Sequence, residues 1–273
     1  VSRIAQRFEQ LAEQGRKALI PYVVAGDPGV AVTVPLMHAL VEAGADVIEL
    51  GVPFSDPMSE GPTIQLAHER ALANKVRLRD ALNMVREFRT RDGDTPVLLM
   101  GYANPVERMG YAAFADAASA AGVDALLTVD IPPEEVAAVN AELRRVGMDN
   151  IFLIAPTTPV ERMGLITAQA SGFIYYVALK GVTGAGHLDT ADVAAQLARI
   201  RETTGLPLAV GFGIKDAASA RAVADVAEGV VVGSALVQRL AESAQNGHSD
   251  AQTIAHAVEL LAQIRRGIDG VPS

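Results

Sequence analysis

The chain has no cysteine among its 273 residues, which excludes both disulfides and thiolate-bound metals. Tryptophan is absent too, which by itself decides nothing. An excess of basic charge is also lacking: the net charge is −9, which disfavours nucleic acid and anionic membranes as partners. No apolar run approaches the length of a membrane span, and Arg3, Arg7 and Glu9 interrupt the opening turns where a signal peptide would be apolar. A soluble cytoplasmic protein is therefore expected. The five histidines, His38, His68, His187, His248 and His256, show no metal-ligand spacing to one another and read as surface or helix residues.

What is present is ample core material. Half the chain is hydrophobic and only 20% is charged, which argues against disorder. Short β-rich apolar runs recur at Leu19–Val24, Val47–Leu50, Val97–Met100, Ala125–Val129, Ile151–Ile154, Phe173–Val177, Leu208–Val210 and Val230–Val232. Helical patterns alternate with them at Ala31–Ala43, Leu78–Arg89, Tyr111–Ala121, Glu134–Val146, Val160–Ala170, Asp192–Glu202, Asp216–Val226 and Ala235–Gln245. The phrases Ala43-Gly44-Ala45-Asp46 and Ala121-Gly122-Val123-Asp124 repeat a helix-ending glycine followed by the start of a strand. Continuous apolar strands joined by helices imply a parallel sheet covered on its outer face. Eight such units in this length predict a (β/α)8 TIM barrel, one domain over residues 1–273. An extra amphipathic helix over Ser2–Gln14 precedes it and another over Ser249–Ile268 follows. A doubly wound sheet is the alternative; it fits less well because the candidate phosphate turns come late in the chain.

In such barrels chemistry collects where strands end. Glu49 interrupts the second apolar run, and a carboxylate there is costly to bury unless it is paired or used. The loop after it carries Pro53, Pro57 and Pro62, which are expected to stop any helix, together with Asp56 and Glu60. Glycine turns follow the seventh and eighth strands, at Gly211-Phe212-Gly213 and Gly233-Ser234. Such turns, with free N–H groups at a helix start near Ser234, can hold an anion without any lysine or arginine. Either turn alone is also what an ordinary tight turn looks like. The glycine-rich stretch Gly181–Gly186 reads as a lid, or as a plain surface loop.

The run Ile48-Glu49-Leu50-Gly51-Val52-Pro53-Phe54-Ser55-Asp56-Pro57, with Gly61-Pro62-Thr63-Ile64-Gln65 after it, resembles the signature of the tryptophan synthase alpha subunit family. Asp27-Pro28, Asn104-Pro105, Asp130-Ile131-Pro132, Gly181-Val182-Thr183-Gly184 and Gly233-Ser234-Ala235 extend the resemblance from the first helix to about Leu240. It implies retro-aldol cleavage of indole-3-glycerol phosphate to indole and glyceraldehyde 3-phosphate, with no cofactor of its own. On this resemblance Glu49 is the acid/base and Glu60 the carboxylate near the indole N–H. The family has an aspartate two residues before Pro62, so Glu60 is a departure by one methylene, and Met58-Ser59 is atypical beside it. The indole slot maps onto Tyr22, Met100, Tyr102, Leu127, Val129, Leu153, Tyr175, Thr183 and Phe212, and the phosphate site onto Gly184, Gly213, Gly233 and Ser234. Tyr175 is expected to hydrogen-bond the Glu49 carboxyl. Pro53, Asp56 and Asn104 fall on the face implied for a pyridoxal-phosphate-dependent beta subunit, in an α2β2 complex. Three other readings stay open: a Schiff-base aldolase using Lys180, a stand-alone lyase, and a weakly active or inactive regulatory subunit.

Overall fold

The computed structural model describes residues 2–178, 190–211 and 213–270. Its strands are β1 (Ala18–Val24), β2 (Ile48–Gly51), β3 (Val97–Gly101), β4 (Ala125–Thr128), β5 (Asp149–Asn150), β6 (Phe152–Ile154), β7 (Ile174–Val177), β8 (Leu208–Gly211) and β9 (Gly229–Val232). All pair in parallel, in the order β5-β4-β3-β2-β1-β9-β8-β7-β6. The two ends of that order are consecutive in the chain and separated only by Ile151. The sheet therefore closes on itself, and the fifth predicted strand is one strand that hands over from β4 to β7 at Ile151. This is the (β/α)8 barrel.

Helices α1 (Arg3–Glu13), α2 (Val30–Glu42), α4 (Leu78–Phe88), α6 (Tyr111–Ala121), α7 (Ala137–Arg145), α8 (Val160–Gln169), α9 (Thr190–Arg201), α10 (Ala217–Ala224), α11 (Ser234–Gln245) and α12 (Asp250–Ile268) follow the expected pattern to within a few residues. Two more depart from it: α3 (Pro62–Ala73) and α5 (Ala103–Met109). Pro62 does not stop a helix but starts one, because proline at the first helical position loses only an N–H that the helix would leave unbonded anyway. Among the described residues no helix is long and apolar enough to cross a membrane.

Inward-facing side chains alternate along the strands. Ile20, Val47, Leu98, Ala125, Ile151, Phe173, Ala209 and Val231 fill the middle of the barrel. Ile4, Phe8 and Leu11 of α1 join the same cluster and plug its amino-terminal end. Met100, Val129, Leu153 and Tyr175 are only partly buried and ring its carboxyl-terminal mouth. The first helix is thus a floor, and the mouth is left for chemistry.

The repeated Gly-x-Asp phrase builds the amino-terminal rim. Asp46 accepts the N–H of Leu19 at 2.9 Å and Asp124 that of Val97 at 2.8 Å, so each acid covers an amide at the start of a neighbouring strand. Arginines neutralise them: Arg265 of α12 reaches Asp46 at 3.0 Å, and Arg89 and Arg3 reach Asp124 at 2.7 and 2.8 Å. Gly44 and Gly122 have φ of +102° and +88°, and a Cβ on either would lie within 3 Å of the arginine stem that passes over it. Glycine is needed there twice over, for the turn and for the cation. Removing one partner of such a buried pair strands the other. Asp124→Ala is therefore expected to lower the unfolding free energy by about 3 kcal/mol while leaving turnover at the far end intact. Urea unfolding followed by far-UV dichroism measures it, and a loss below about 1 kcal/mol would mean the pair is no stronger than a surface bridge.

Candidate active site

Strand register brings the predicted residues together before any side chain is considered. Tyr22 of β1 lies opposite Glu49 of β2, Gly51 opposite Met100 of β3, Met100 opposite Leu127 of β4, and Leu153 opposite Tyr175. On the other side of β1, Pro21 pairs with Val232, so Gly233 sits beside Tyr22, and a Cβ on Gly233 would lie 3.7 Å from that of Tyr22. The Gly233 turn and the acid are therefore two strands apart on one rim, and the Gly213 turn is one strand further round. Leu127, the register partner of Met100, is fully buried and belongs to the barrel's core cluster.

Glu49 is 0% exposed, and neither of its carboxyl oxygens has a hydrogen-bond partner among the described residues. The expected bond from Tyr175 is not made. The Tyr175 hydroxyl instead rests over Gly211, where a Cβ would come within 2.5 Å of it. Burial without a partner disfavours the charged form, and the nearby Glu60 adds like-charge repulsion. Together they raise the Glu49 carboxyl to about 8. It therefore keeps its proton at neutrality.

Glu60 ends the loop after β2 and immediately precedes the Gly61 cap of α3. Its Oε2 accepts the Tyr102 hydroxyl at 3.1 Å, and that hydroxyl accepts the Ser59 N–H at 3.2 Å. The Tyr102 ring stacks on Phe54 at 4.8 Å. Burial lifts the Glu60 carboxyl to about 7, against the opposing hydrogen bond from Tyr102. Two acids of one site are thus set about a unit apart, with Glu49 the one that stays protonated longer.

α3 holds this loop in place. Arg70 forks onto Asp27 at 2.6 and 3.0 Å, and the Asn74 amide donates to the Gly26 carbonyl at 3.1 Å. Ile64, Ala67 and Ala71 pack on Tyr22 and Val24, so the helix lies across the end of β1. Its third inward residue is His68, 1% exposed and bonded to both Tyr22 and Phe54. The reading of all five histidines as surface or helix residues is right that His68 is helical and misses its burial in the site. The available signal was the spacing Ile64, Ala67, His68, Ala71, a helical face with one polar member.

At the phosphate end, Gly213 has φ +77° and Gly233 caps α11, which begins at Ser234. Leu236 and Val237 both bond back to the Gly233 carbonyl, and the earlier amides of that turn have no helical acceptor. Thr183, Gly184, Phe212 and the alternative nucleophile Lys180 lie outside the described residues. On the outer rim Pro53 and Asn104 line an open groove of about 900 Å³ with Phe54, Leu72 and Pro105, and Asp56 stands exposed in the same loop. A closed parallel barrel with a buried acid at its mouth, unpartnered among the described residues, defines the class: a (β/α)8-barrel enzyme of the acid–base kind.

The sequence profile described as tryptophan synthase alpha chain matches residues 8–266. The chain belongs to the tryptophan synthase alpha chain family. It is 60% identical over 269 residues to the tryptophan synthase alpha chain of Thioalkalivibrio sulfidiphilus, covering 98% of this chain and 100% of that one. To the alpha chain of Dechloromonas aromatica it is 57% identical over 271 residues, 99% of each. The crystal structure of tryptophan synthase subunit alpha from Legionella pneumophila superposes with a TM-score of 0.92 at 45% identity, over 99% of this chain and 100% of that one. Tryptophan synthase from M. tuberculosis in its aminoacrylate-bound form gives a TM-score of 0.86 at 34% identity, over 98% and 100%.

The burial of Glu49 has a consequence independent of activity. Its folded-state pKa lies above the unfolded value, so between about 4.5 and about 8 the native state holds a proton that the unfolded chain releases. Stability due to this group falls as pH rises through that window. Glu49→Gln removes the effect, so the variant's unfolding midpoint should equal that of the wild type near pH 4.5 and exceed it increasingly toward pH 8. Equal midpoints across the range in thermal scans would show that Glu49 is not held in an apolar site.

Proposed function

We propose that this chain cleaves indole-3-glycerol phosphate to indole and glyceraldehyde 3-phosphate, with Glu49 as the proton shuttle. The observation that carries the assignment of roles is the buried Glu49 carboxyl at the mouth, unpartnered among the described residues and two strands from Gly233. The protonated acid gives its proton to C3 of the indole ring, leaving the ring cationic. The resulting carboxylate then takes the proton of the adjacent glycerol hydroxyl. The C–C bond breaks, its electrons return to the ring, and the former alcohol leaves as the aldehyde. Glu49 ends with the proton it began with, which is why a single group serves both halves. Glu60, ionised, faces the indole N–H and offsets the positive charge while it exists. The indole slot is assigned to Tyr22, Met100, Tyr102, Leu127, Val129, Leu153 and Tyr175, together with Thr183 and Phe212. Gly184, Gly213, Gly233 and Ser234 take the phosphate.

The reaction needs no cofactor here. The beta subunit supplies the pyridoxal phosphate and consumes the indole, in an α2β2 complex docked on Pro53, Asp56 and Asn104. The single barrel domain works in the cytoplasm.

Two carboxyls in opposite protonation states require a bell-shaped pH dependence. Activity needs Glu60 ionised, so it falls below about 7, and needs Glu49 protonated, so it falls above about 8. Indole release, with and without beta subunit, is expected to give such a bell for the wild type and a loss of at least about a hundredfold for Glu49→Gln. Glu60→Gln should lose the acid limb of the bell along with much of the rate. Turnover by Glu49→Gln within a few-fold of wild type would refute the shuttle. No indole in either assay would leave a regulatory subunit, and full rate without partner a stand-alone lyase.

A further inference from the structure

α3 carries one side chain that the proton shuttle does not use. His68 is buried among Ile64, Ala67 and Ala71, yet both its ring nitrogens are engaged. The N–H of Phe54 points at Nδ1 at 3.0 Å, and a backbone amide can only donate. Nδ1 is therefore the acceptor, and the neutral ring carries its proton on Nε2. That proton faces the Tyr22 hydroxyl at 3.4 Å, a long bond in which the imidazole donates. Burial keeps the ring neutral, lowering its pKa to about 4. A second proton would also set an N–H against the N–H of Phe54.

We propose that His68 is a positioning residue of the alpha reaction: it pins Phe54, and with it the loop bearing Glu60, to Tyr22 in the indole slot. The connection runs both ways from the imidazole. On one side Tyr22 stands opposite Glu49 in the register of β1 and β2, and its hydroxyl lies over Gly51, where a Cβ would come within 2.5 Å of it. Since that hydroxyl accepts from His68, its own hydrogen is turned away from the histidine. On the other side the Phe54 amide is anchored and the Phe54 ring stacks on Tyr102, which donates to Glu60. One buried ring thus spans the strand that carries the slot wall and the loop that carries the second acid. A loop acid is otherwise free to swing, and misplacement at a reacting centre lowers the rate steeply.

The proposal rests on the proposed function, and its test separates the two. Steady-state indole release is measured on the full chain with beta subunit for wild type, His68→Asn and His68→Leu. Asparagine places an acceptor near Nδ1 and keeps the Phe54 anchor, whereas leucine fills the space and keeps neither bond. His68→Leu is expected to lower kcat about tenfold with KM changed less than about threefold, and His68→Asn to stay within about threefold of wild type in both. Should His68→Leu fail to fold, His68→Gln takes its place, because its amide reaches toward Tyr22 but not toward the Phe54 N–H, and it must show the same tenfold loss. A leucine variant as fast as an active wild type overturns the proposal alone, as does an asparagine variant as slow as leucine. A wild type that releases no indole overturns the proposed function, and this proposal with it.

Discussion

A carboxyl group with no hydrogen-bond partner among the described residues, sealed at the end of a β-strand, is the constraint around which this molecule is arranged. Desolvating an acid without a hydrogen bond costs free energy, and the chain relieves the cost by keeping Glu49 protonated. The same choice makes it an acid at neutral pH. Stability and chemistry are therefore set by one local fact, and any side chain that paired with Glu49 would help the first and harm the second. The rest of the mouth obeys this. Its inward residues Met100, Val129 and Leu153 are apolar, and Tyr175 and Tyr22 turn their hydroxyls over glycines of neighbouring strands instead of onto the acid.

The opposite end of the barrel solves the same electrostatic problem by the opposite means. Asp46 and Asp124 are nearly as buried as Glu49, but each accepts a strand amide and meets at least one arginine. Those acids are engaged in holding strands and helices together. The division follows from strand polarity. Amino-terminal strand ends present N–H groups, which carboxylates satisfy; carboxyl-terminal ends present carbonyls, which offer an ionised carboxylate no donor.

Most of the barrel is readable in the sequence because buried parallel strands need continuous apolar runs and the covering helices need 3.6-residue faces. The misses are informative. The fifth strand begins before its apolar run, at the polar pair Asp149-Asn150, and breaks at Ile151, since a strand that pairs with β4 first and β7 afterwards must change partners at some residue. α3 and α5 escape because each starts in a proline-bearing segment, Gly61-Pro62 and Asn104-Pro105, where the same residue marks either a loop or a helix start according to its downstream neighbours. In the site, Glu49 is legible because a lone acid in an apolar strand has few explanations. His68 is only half legible: the face Ile64, Ala67, His68, Ala71 marks it as inward, but the same pattern arises whether that face packs on the barrel's outside or across its mouth.

Glu60 is held in place differently from Glu49, and the difference sets how much freedom each acid has to change length. Glu49 has its backbone fixed on both sides, through Tyr22 of β1 and Leu98 of β3, so its carboxyl position follows from strand geometry. Glu60 sits on a loop between β2 and α3, and its carboxyl position is set by side chains that reach it: Tyr102 from the end of β3, itself stacked on Phe54. A group located by a tyrosine hydroxyl can be one methylene longer and still meet it, provided the loop backbone retreats by a similar distance. A strand residue has no such freedom, because its Cα is locked into two ladders. The acid that moves the proton is held by the sheet; the acid that steadies the charge is held by contacts, and only the second could be exchanged for a longer one without rebuilding the barrel.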